Sequence, residues 1–400
     1  MSVRILVVHH SRSINDEQSY LTDDYQVANM SLFGAQELDT WAGVRLLSRN
    51  HQVFRLEICG NYSKIRLLDN FGKVLKLFDV TQKSGFSRNT GTLKALIKYL
   101  DPTISQFGHN GYREIFEEIS SAYVFDLWWF DTQFYDAAIP SNVKSIVRSV
   151  NFEPVHVLSE DPTKLRFIRA LLKHYSEKRI GSKRNFLAIS PLDAQRYKRI
   201  GVSIMQTVPL RQISFLENSN QIEILQKKTF LMTGSTYEVR HNLRNLEFVL
   251  NDLAPRLLEI DNEIKIQVFG NRFPNYLEIP PNVIYCGFDE NLRGKILGST
   301  GVIVPFSGGA GMQSKVFEPL FLGATLIANP KSFVGYDFKP DVDYLPATNI
   351  NEYVNQILRL TNEPYLKDAI AQSSMKKSKD YFSQKKMLEL IESIISDLDN

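Results

Sequence analysis

The 400-residue sequence has few cysteines and no long apolar run. Its two cysteines, Cys59 and Cys286, lie far apart and in no metal-ligand or redox spacing, which argues against a disulfide framework. No run approaches the roughly 20 apolar residues that span a bilayer. The start, MSVRILVVHHS, lacks the apolar region and cleavage site of a signal peptide. We therefore expect a cytoplasmic protein, with peripheral association at the inner face of the membrane left open.

A strong excess of one charge is also absent. The 47 lysines and arginines nearly balance the 44 acidic residues, so the formal net charge is +3. A nucleic-acid-binding protein usually has a strongly basic domain or a stripe of cations, and we expect no such partner here. The basic stretch 64–98 is too irregular for a membrane helix, and we interpret it as a solvated surface.

The alternation of apolar strand-like runs with helix-like segments predicts an α/β fold. In the first half, strands are expected at 4–9, 53–58, 122–130, 144–150 and 186–190, with a helix near 42–47. In the second half, strands are expected at 229–235, 264–270, 283–286, 301–305 and 325–328. A chain of this length exceeds what one core usually serves. The prediction is two Rossmann-like, doubly wound domains that face a cleft.

The boundary between the two domains is expected near 208–226, where Pro209 and the polar cluster 217–220 indicate a linker. This division gives a first domain at 1–207, a second at 208–380, and a last helix at 381–400 that packs back on the first. Neither half shows a short repeat or a heptad pattern.

The strongest local signal is the segment 305–330, PFSGGAGMQSKVFEPLFLGATLIANP. A strand ends at Pro305, and a turn rich in glycine, with Gly308, Gly309 and Gly311, precedes a helix. Such a turn directs backbone N–H groups at an anion near the positive end of the helix dipole, which is how proteins bind phosphate. A purely structural turn is the alternative. The acid Glu318, on the apolar helix that follows, would accept hydrogen bonds from a ribose diol.

This segment resembles retaining GT-B glycosyltransferases of family 4, with the signature G-x-G-x-x-x-K-x-x-E-A-x-x-x-G-x-P-V-V. The residues at the matching places are Gly309, Gly311, Lys315, Glu318 and Gly323. The resemblance implies that Glu318 is the second acid of the E-x7-E motif and binds the donor ribose. Ala310 stands where the family has the first acid.

A second segment, FLMTGSTYEVRHNL, resembles the strand and loop that begin the donor domain of these enzymes. Gly234 and Ser235 would direct N–H groups at a diphosphate, and Arg240 would neutralise its charge. Solvated helix charges are the alternative for Arg240 and Arg244. By the same resemblance, Tyr285 and Phe288 would lie near the base.

In the first half, SIVRSVNFEPVHV resembles the R-x-H-N-x-E segment of some of these enzymes. Arg148, Asn151 and Glu153 are in register, and Val150 replaces the histidine, so that Asn151 is the candidate for its role. His9 and His10 end the first strand, where cleft residues of open α/β sheets lie. His10 is therefore a candidate at an acceptor site, with an ordinary hydrogen-bonded loop histidine as the alternative.

Together these features predict a glycosyltransferase for a hexose or deoxyhexose, with retention implied by the family resemblance. The second domain would bind a nucleoside diphosphate sugar, and the first a glycan, lipid-linked or small-molecule acceptor. Arg240, Lys315, Asn151 and His10 are the catalytic candidates, and Gly234, Ser235, Tyr285, Phe288, Gly309, Ala310, Gly311 and Glu318 those for donor binding. No metal or other cofactor is expected. A nucleotide-sugar epimerase and a non-catalytic binding partner, which Ala310 and Val150 favour, are the alternatives.

Overall fold

The computed structural model describes residues 2–11, 35–59, 62–83, 90–209, 211, 225, 227–289, 292–305, 312–381 and 383–398. The chain divides into two compact units. The first unit consists of Met1–Ser214 together with Gln384–Asn400, and the second is Phe215–Ser383. Within the described ranges, no helix is both long and apolar enough to cross a membrane. The predicted linker 208–226 lies mostly outside the described residues.

The first unit is built on an eight-stranded sheet in the order β4-β3-β2-β1-β5-β6-β7-β8. The strands are β1 Arg4–Ser11, β2 Gln52–Cys59, β3 Lys64–Leu68, β4 Val74–Asp79, β5 Leu127–Phe130, β6 Ser145–Arg148, β7 Asn185–Ala188 and β8 Ile204–Thr207. The helices are Ala35–Leu47, Val80–Lys83, Thr90–Tyr99, Pro102–Ser105, Asn110–Ala122, Glu153–Glu160, Arg166–Gly181, Pro191–Arg199 and Gln384–Asp397. Short 3-10 turns occupy Gln106–Gly108 and Gln133–Ala137.

Both faces of this sheet are covered, because successive side chains of a strand point to opposite faces. On β1, Leu6 and Val8 belong to one hydrophobic cluster, with residues of the helix Asn110–Ala122. Ile5 and Val7 belong to another, together with Met387, Ile391, Ile394 and Ile395 of the helix Gln384–Asp397. The last helix of the chain therefore packs on the first strand's unit.

The stretch 64–98 is not a simple solvated surface, so that interpretation was wrong in part. β3 pairs antiparallel with β2 and with β4. Ile65, Leu67 and Leu68 are buried on β3, and the buried Arg66 is bound by Glu57. Basic residues alternate with apolar ones in this hairpin, and an arginine paired inside the protein looks the same in sequence as one at the surface.

The second unit has a six-stranded parallel sheet in the order β11-β10-β9-β12-β13-β14. Its strands are β9 Thr229–Thr236, β10 Lys265–Asn271, β11 Val283–Gly287, β12 Gly301–Val304, β13 Leu326–Ala328 and β14 Leu345–Pro346. Its helices are Arg240–Glu247, Ala254–Ile260, Leu292–Gly298, Ser314–Leu322, Ile350–Asn362 and Pro364–Tyr381, with a π-helical turn at Phe248–Leu253 and a 3-10 turn at Pro330–Phe333. This strand order is that of the Rossmann fold, and the α/β prediction of two Rossmann-like domains is confirmed.

Candidate functional site

The two segments that the sequence singled out meet at one place in the second sheet. β9 lies between β10 on one side and β12 on the other, and all pairs are parallel. The strand order therefore reverses between β9 and β12, and open α/β sheets bind their ligands outside the carboxyl ends at such a reversal. The loop after β9 begins there, and so does the segment after β12. Gly309, Ala310 and Gly311, and the side chain of Ser235, lie outside the described residues.

A close approach of backbones fixes the end of β9, where Gly234 and Ser235 lie inside the strand and not, as predicted, in the loop after it. Gly270, at the end of β10, has a φ of +145°, and a Cβ there would lie 2.7 Å from the carbonyl oxygen of Gly234. The Tyr237 hydroxyl donates a hydrogen bond to the Phe269 carbonyl at 2.8 Å. Only glycine fits at position 270, because any side chain would push the two strand ends apart. Gly234 is thus part of a rigid backbone corner.

Glu318 lies on the helix Ser314–Leu322, as predicted from the sequence, and it has a partner that the sequence did not indicate. Arg293 Nε donates a hydrogen bond to Glu318 Oε1 at 2.8 Å. The Arg293 side chain is almost fully buried, whereas Glu318 keeps about a third of its side chain exposed at 30%. A charge-assisted hydrogen bond of this kind orients the carboxylate. Within the described residues, no hydrogen bond is recorded to the second oxygen, Oε2.

The two predicted cations of this site lie at the starts of two helices. Arg240 is exposed at the first position of the helix Arg240–Glu247, directly after the β9 loop. Lys315 is half-buried in the first turn of the helix Ser314–Leu322. Both helix starts follow strands that are neighbours in the sheet. The geometry therefore brings both cations to the carboxyl ends of β9 and β12.

Tyr285 lies in the middle of β11, and Phe288 directly follows the last residue of this strand. The Tyr285 hydroxyl donates a hydrogen bond to the Gly270 carbonyl at 2.8 Å, and its ring packs on Phe273 with centroids 4.6 Å apart. The hydroxyl therefore already donates its hydrogen bond to the backbone, so the aromatic ring is the part of Tyr285 that could contact a ligand. Phe288 exposes half of its surface. An exposed aromatic face at this position is chemically suited to stacking on a base.

His9 and His10 lie at the end of β1 in the first unit, where the order of that sheet also reverses, between β1 and β5. His9 is buried, with Nε2 3.8 Å from Glu57 Oε1, and burial lowers its pKa. The His10 ring stacks on Tyr62 with centroids 4.8 Å apart. His9 thus lies buried beside the ion network around Glu57, whereas His10 is half-buried at the strand end and remains a candidate at the acceptor site.

The segment after β6 carries the other first-unit candidates. The Asn151 carbonyl accepts hydrogen bonds from Ser149 Oγ at 2.7 Å and Tyr197 Oη at 3.1 Å, which fixes the backbone here. Glu153 is buried, and burial raises its pKa. Arg148 is fully buried and donates to Asp39 and to the carbonyls of Val208 and Pro209. Arg148 therefore holds the segment that directly follows β8 in place.

Sequence reasoning missed several residues that shape these regions. The largest omissions are Arg293, Glu177, and the pair Asp39 and Arg211. Each is a charged side chain buried by folding, and each is paired across a large sequence separation. A charged residue among apolar neighbours, as in LRGKILG at 292–298, was the available signal for Arg293.

No protein-family model and no curated protein sequence matches the chain. Among solved structures, the chain is similar to a sucrose-phosphate synthase from Thermosynechococcus elongatus, with a TM-score of 0.65 and 12% identity over 99% of each chain. It is also similar to Anabaena HepE in complex with UDP, with a TM-score of 0.59 and 10% identity over 98% of this chain and 100% of that one. The TM-score with TarM is 0.56 at 13% identity, over 83% of this chain, which spans 64% of TarM. These likenesses show the fold, the two Rossmann-like domains of GT-B glycosyltransferases.

Proposed function

We propose that this chain is a glycosyltransferase whose second unit binds a nucleoside diphosphate sugar. The observation that carries the proposal is the meeting of the β9 loop and the Glu318 helix at the reversal of strand order. Backbone N–H groups at helix starts attract phosphate at such a place. HepE structures contain UDP and UDP-glucose, and a TarM structure contains UDP, which supports the same ligand class here.

In the proposed reaction, the bond between the anomeric carbon of the sugar and the diphosphate oxygen breaks. A hydroxyl oxygen of the acceptor forms the new bond to that carbon, and its proton passes to the departing diphosphate oxygen. The departing diphosphate accumulates negative charge, which Arg240, Lys315 and the backbone N–H groups of the β9 loop would stabilise without a metal. The first unit would bind the acceptor, with His10 and Asn151 at the ends of its strands. Retention of configuration is part of the proposal and rests on the family resemblance.

Glu318 would bind the ribose of the donor. Arg293 holds one carboxylate oxygen, which leaves Oε2 as the acceptor for a ribose hydroxyl. A pre-oriented carboxylate loses little freedom on binding, so its hydrogen bond contributes more to affinity. Arg293 is therefore a positioning residue in this proposal.

Calorimetry with UDP tests this role directly. Glu318→Ala should weaken binding by about 1.5–3 kcal/mol, the range for hydrogen bonds to charged groups. Glu278→Ala, which removes an exposed acid of the same unit, is the matched control and should change nothing. Because Glu318→Ala also removes the hydrogen bond between Arg293 and this carboxylate, thermal unfolding of the same sample must show that the fold persists. Unchanged UDP affinity in a folded Glu318→Ala protein would show that Glu318 does not bind the ribose.

Incubation with nucleotide sugars in the absence of an acceptor separates the three classes of function. A transferase slowly passes sugar to water and releases the nucleoside diphosphate. An epimerase interconverts two nucleotide sugars, and a binding protein shows affinity with no turnover.

Ala310 and Val150, which replace polar family residues, further favour a donor sugar with a less polar edge, such as a deoxysugar. Competition between matched nucleotide sugars measures that preference.

A further inference from the structure

The segment between β2 and β3 contains a residue with a strained backbone. Tyr62 has a φ of +66°, in the left-handed region that residues other than glycine rarely adopt. Its backbone N–H donates a hydrogen bond to the Cys59 carbonyl at 2.9 Å, and its own carbonyl accepts one from the Tyr112 hydroxyl. Strain of this kind persists only where the surrounding structure enforces it, and it clusters at ligand sites. The conformation therefore points to a role of the Tyr62 side chain.

Tyr62 lies at the carboxyl edge of the first sheet. It follows β2, which is parallel to β1, so both strands end at this edge. The His10 ring, near the end of β1, stacks on the Tyr62 ring with centroids 4.8 Å apart and planes 30° from parallel. The strand order of the sheet reverses between β1 and β5, and open α/β sheets bind their ligands outside the carboxyl edge at such a reversal. Tyr62 therefore lies where the acceptor is proposed to bind.

Three buried aromatic side chains hold the Tyr62 ring in place. Phe107 meets it edge to face, with centroids 5.9 Å apart. Phe107 also packs on Tyr112 at 5.1 Å and on Tyr135 at 4.7 Å. We call these four side chains the aromatic cluster. Tyr62 exposes 40% of its surface, whereas the other three members are buried. The aromatic cluster thus presents one ring to solvent on a rigid support.

A fixed and partly exposed aromatic ring is suited to stacking on a sugar. The face of the ring carries partial negative charge, which attracts the weakly positive C–H groups on the apolar face of a pyranose. Because the backbone and the ring of Tyr62 are both held already, binding costs little conformational freedom. An acyl chain gains nothing from an oriented ring, since apolar burial has no preferred direction. The geometry therefore favours a carbohydrate over a lipid chain at this position.

We propose that Tyr62 is a specificity-determining residue that stacks on a sugar ring of the acceptor, so that the acceptor is a carbohydrate, free or lipid-linked. This inference rests on the proposed function and narrows its acceptor class. His10 packs against the same ring, which places its imidazole at the rim of the stacked sugar. The rim of a pyranose carries its hydroxyl groups, one of which is the group that an acceptor must supply.

Saturation-transfer NMR with methyl glycosides tests the proposal in the absence of any donor. The probes are the methyl α- and β-pyranosides of glucose, galactose, N-acetylglucosamine and rhamnose, each titrated into the full chain. At least one should bind, with saturation strongest on the C–H protons of one face of its ring. Tyr62→Leu should weaken binding at least roughly tenfold, because leucine fills similar space but has no aromatic face. Tyr62→Phe keeps that face and should bind within about threefold of the unchanged protein.

The matched control is Phe71→Leu, in the turn that joins β3 and β4 at the opposite edge of the sheet. Phe71 is an aromatic residue with 75% exposure, and its replacement should leave glycoside binding unchanged. A purely structural role of Tyr62 predicts instead that Tyr62→Leu retains binding. That result, loss of binding in Tyr62→Phe, equal loss in the control, or no bound glycoside would overturn the proposal. Saturation spread evenly over both faces of the bound sugar would also overturn it, even if Tyr62→Leu did not fold.

The result is separable from the fate of the proposed function. Calorimetry of UDP with Tyr62→Leu should give the affinity of the unchanged protein, since the donor is proposed to bind the second unit. Glycoside binding through Tyr62 supports the inference even if no nucleotide sugar binds, and then only the transferase proposal fails. UDP binding without glycoside binding overturns the inference and leaves the proposed function intact. Uridine binding that Tyr62→Leu abolishes would overturn it in favour of a base.

Discussion

The two units differ in what they bury around their sheets. In the first unit, many of the buried charged side chains form two ion networks. One contains Asp39, Asp131, Arg148 and Arg211, and the other contains Arg55, Glu57 and Arg66. In the described part of the second unit, the buried charged side chains are Arg293 and Asp343. The first unit neutralises its own charges at its strand ends. The second has glycines and helix starts at the corresponding place, which is what an anionic ligand requires.

The network around Arg211 shows how closely the first unit is tied together. Arg211 donates to Asp39 at 3.2 Å and to Asp131 at 2.9 Å, and it is fully buried. A Cβ on Gly43 would lie 2.2 Å from Arg211 Nη1, so the absence of a side chain at Gly43 makes room for the guanidinium. Burial alone would raise the pKa of Asp131, but Arg211 and Arg148 lower it to about 2.

The largest expected effect comes from removing one partner of that network. Asp131→Ala should destabilise the first unit by about 3–5 kcal/mol, because it leaves a buried arginine with less compensation. Asp343→Ala, the counterpart in the second unit, should cost about 1–3 kcal/mol. It removes hydrogen bonds from the Ser373 hydroxyl, the Lys339 backbone N–H and the Lys377 ammonium group. Urea unfolding monitored for each unit measures both.

The pH dependence of the same carboxylate gives an independent check. The pKa of Asp131 is lower in the folded protein than its ordinary value of 3.8, so its stabilisation is fully present above that value. It is lost as the pH falls toward 2. Glu238→Ala, which removes an exposed partner of Arg272, is the control and should change neither stability nor acid unfolding. If Asp131→Ala leaves stability and acid unfolding unchanged, as this control should, then the buried ion network does not stabilise the first unit as proposed.

Glu177 and its neighbour Glu153 lie outside these networks, and Glu177 is buried largely without a cation. Gln133 Nε2 donates to Oε1 at 2.9 Å, and the Tyr197 hydroxyl lies 2.8 Å from Oε2. Burial, reinforced by Glu153, raises the pKa of Glu177 to about 8. The folded protein therefore retains this proton where the unfolded chain, with an ordinary pKa of 4.5, has lost it. Its favourable contribution is complete below pH 4.5 and is lost as the pH rises to about 8.

Glu177→Gln should consequently stabilise the protein at pH 8 by about 4 kcal/mol and have little effect at pH 4. The amide has the shape of the protonated acid and titrates nowhere in this range. Glu117→Gln, at an exposed position, serves as the control. Thermal unfolding of both variants across pH 4–8 decides the point, and parallel curves for the two variants would show that Glu177 is ionised in the fold.

The smallest effects come from a glycine in each unit. Gly201 and Gly323 follow helices with φ near +80°, a conformation that favours glycine. Gly201→Ala places its Cβ at an ordinary contact distance of 4.0 Å from Lys178 Cε and should cost about 1 kcal/mol. Gly323→Ala meets Met375 at 3.2 Å and should cost about 2 kcal/mol, because a contact is added to the backbone strain. If urea unfolding shows that both variants lose the same free energy of unfolding, the Met375 side chain moves aside at no cost.

The same contrast explains how much of the fold the sequence predicted. In the second unit, expected strands such as 229–235 and 264–270 agree with β9 and β10 within one residue at each end. Parallel strands buried on both faces are nearly continuous apolar runs, which sequence patterns reveal well. In the first unit, the run 122–130 was expected as one strand, but a helix ends at Ala122 and β5 begins at Leu127. The hairpin of β3 and β4 was not expected at all.

Prediction of the site was partial for a different reason. Glu318, Lys315 and the β9 loop could be located because a local pattern of residues indicated them. Arg293 could not, because its role comes from a contact made 25 residues away along the chain. The buried ions of the first unit have the same origin, with Arg211 reaching Asp39 over 172 residues. Local sequence shows which side chains are charged, but the fold decides which of them become partners.

The return of the chain to its first unit has a consequence for biosynthesis. Four apolar side chains of the helix Gln384–Asp397 cover one face of β1, and this helix follows the entire second unit. A ribosome adding 5–20 residues per second therefore leaves that face only partly covered for roughly ten to forty seconds after the first 214 residues have emerged. The nascent first unit must wait in an incomplete state while the second unit folds, which makes it a natural client of chaperones that bind apolar surface during translation.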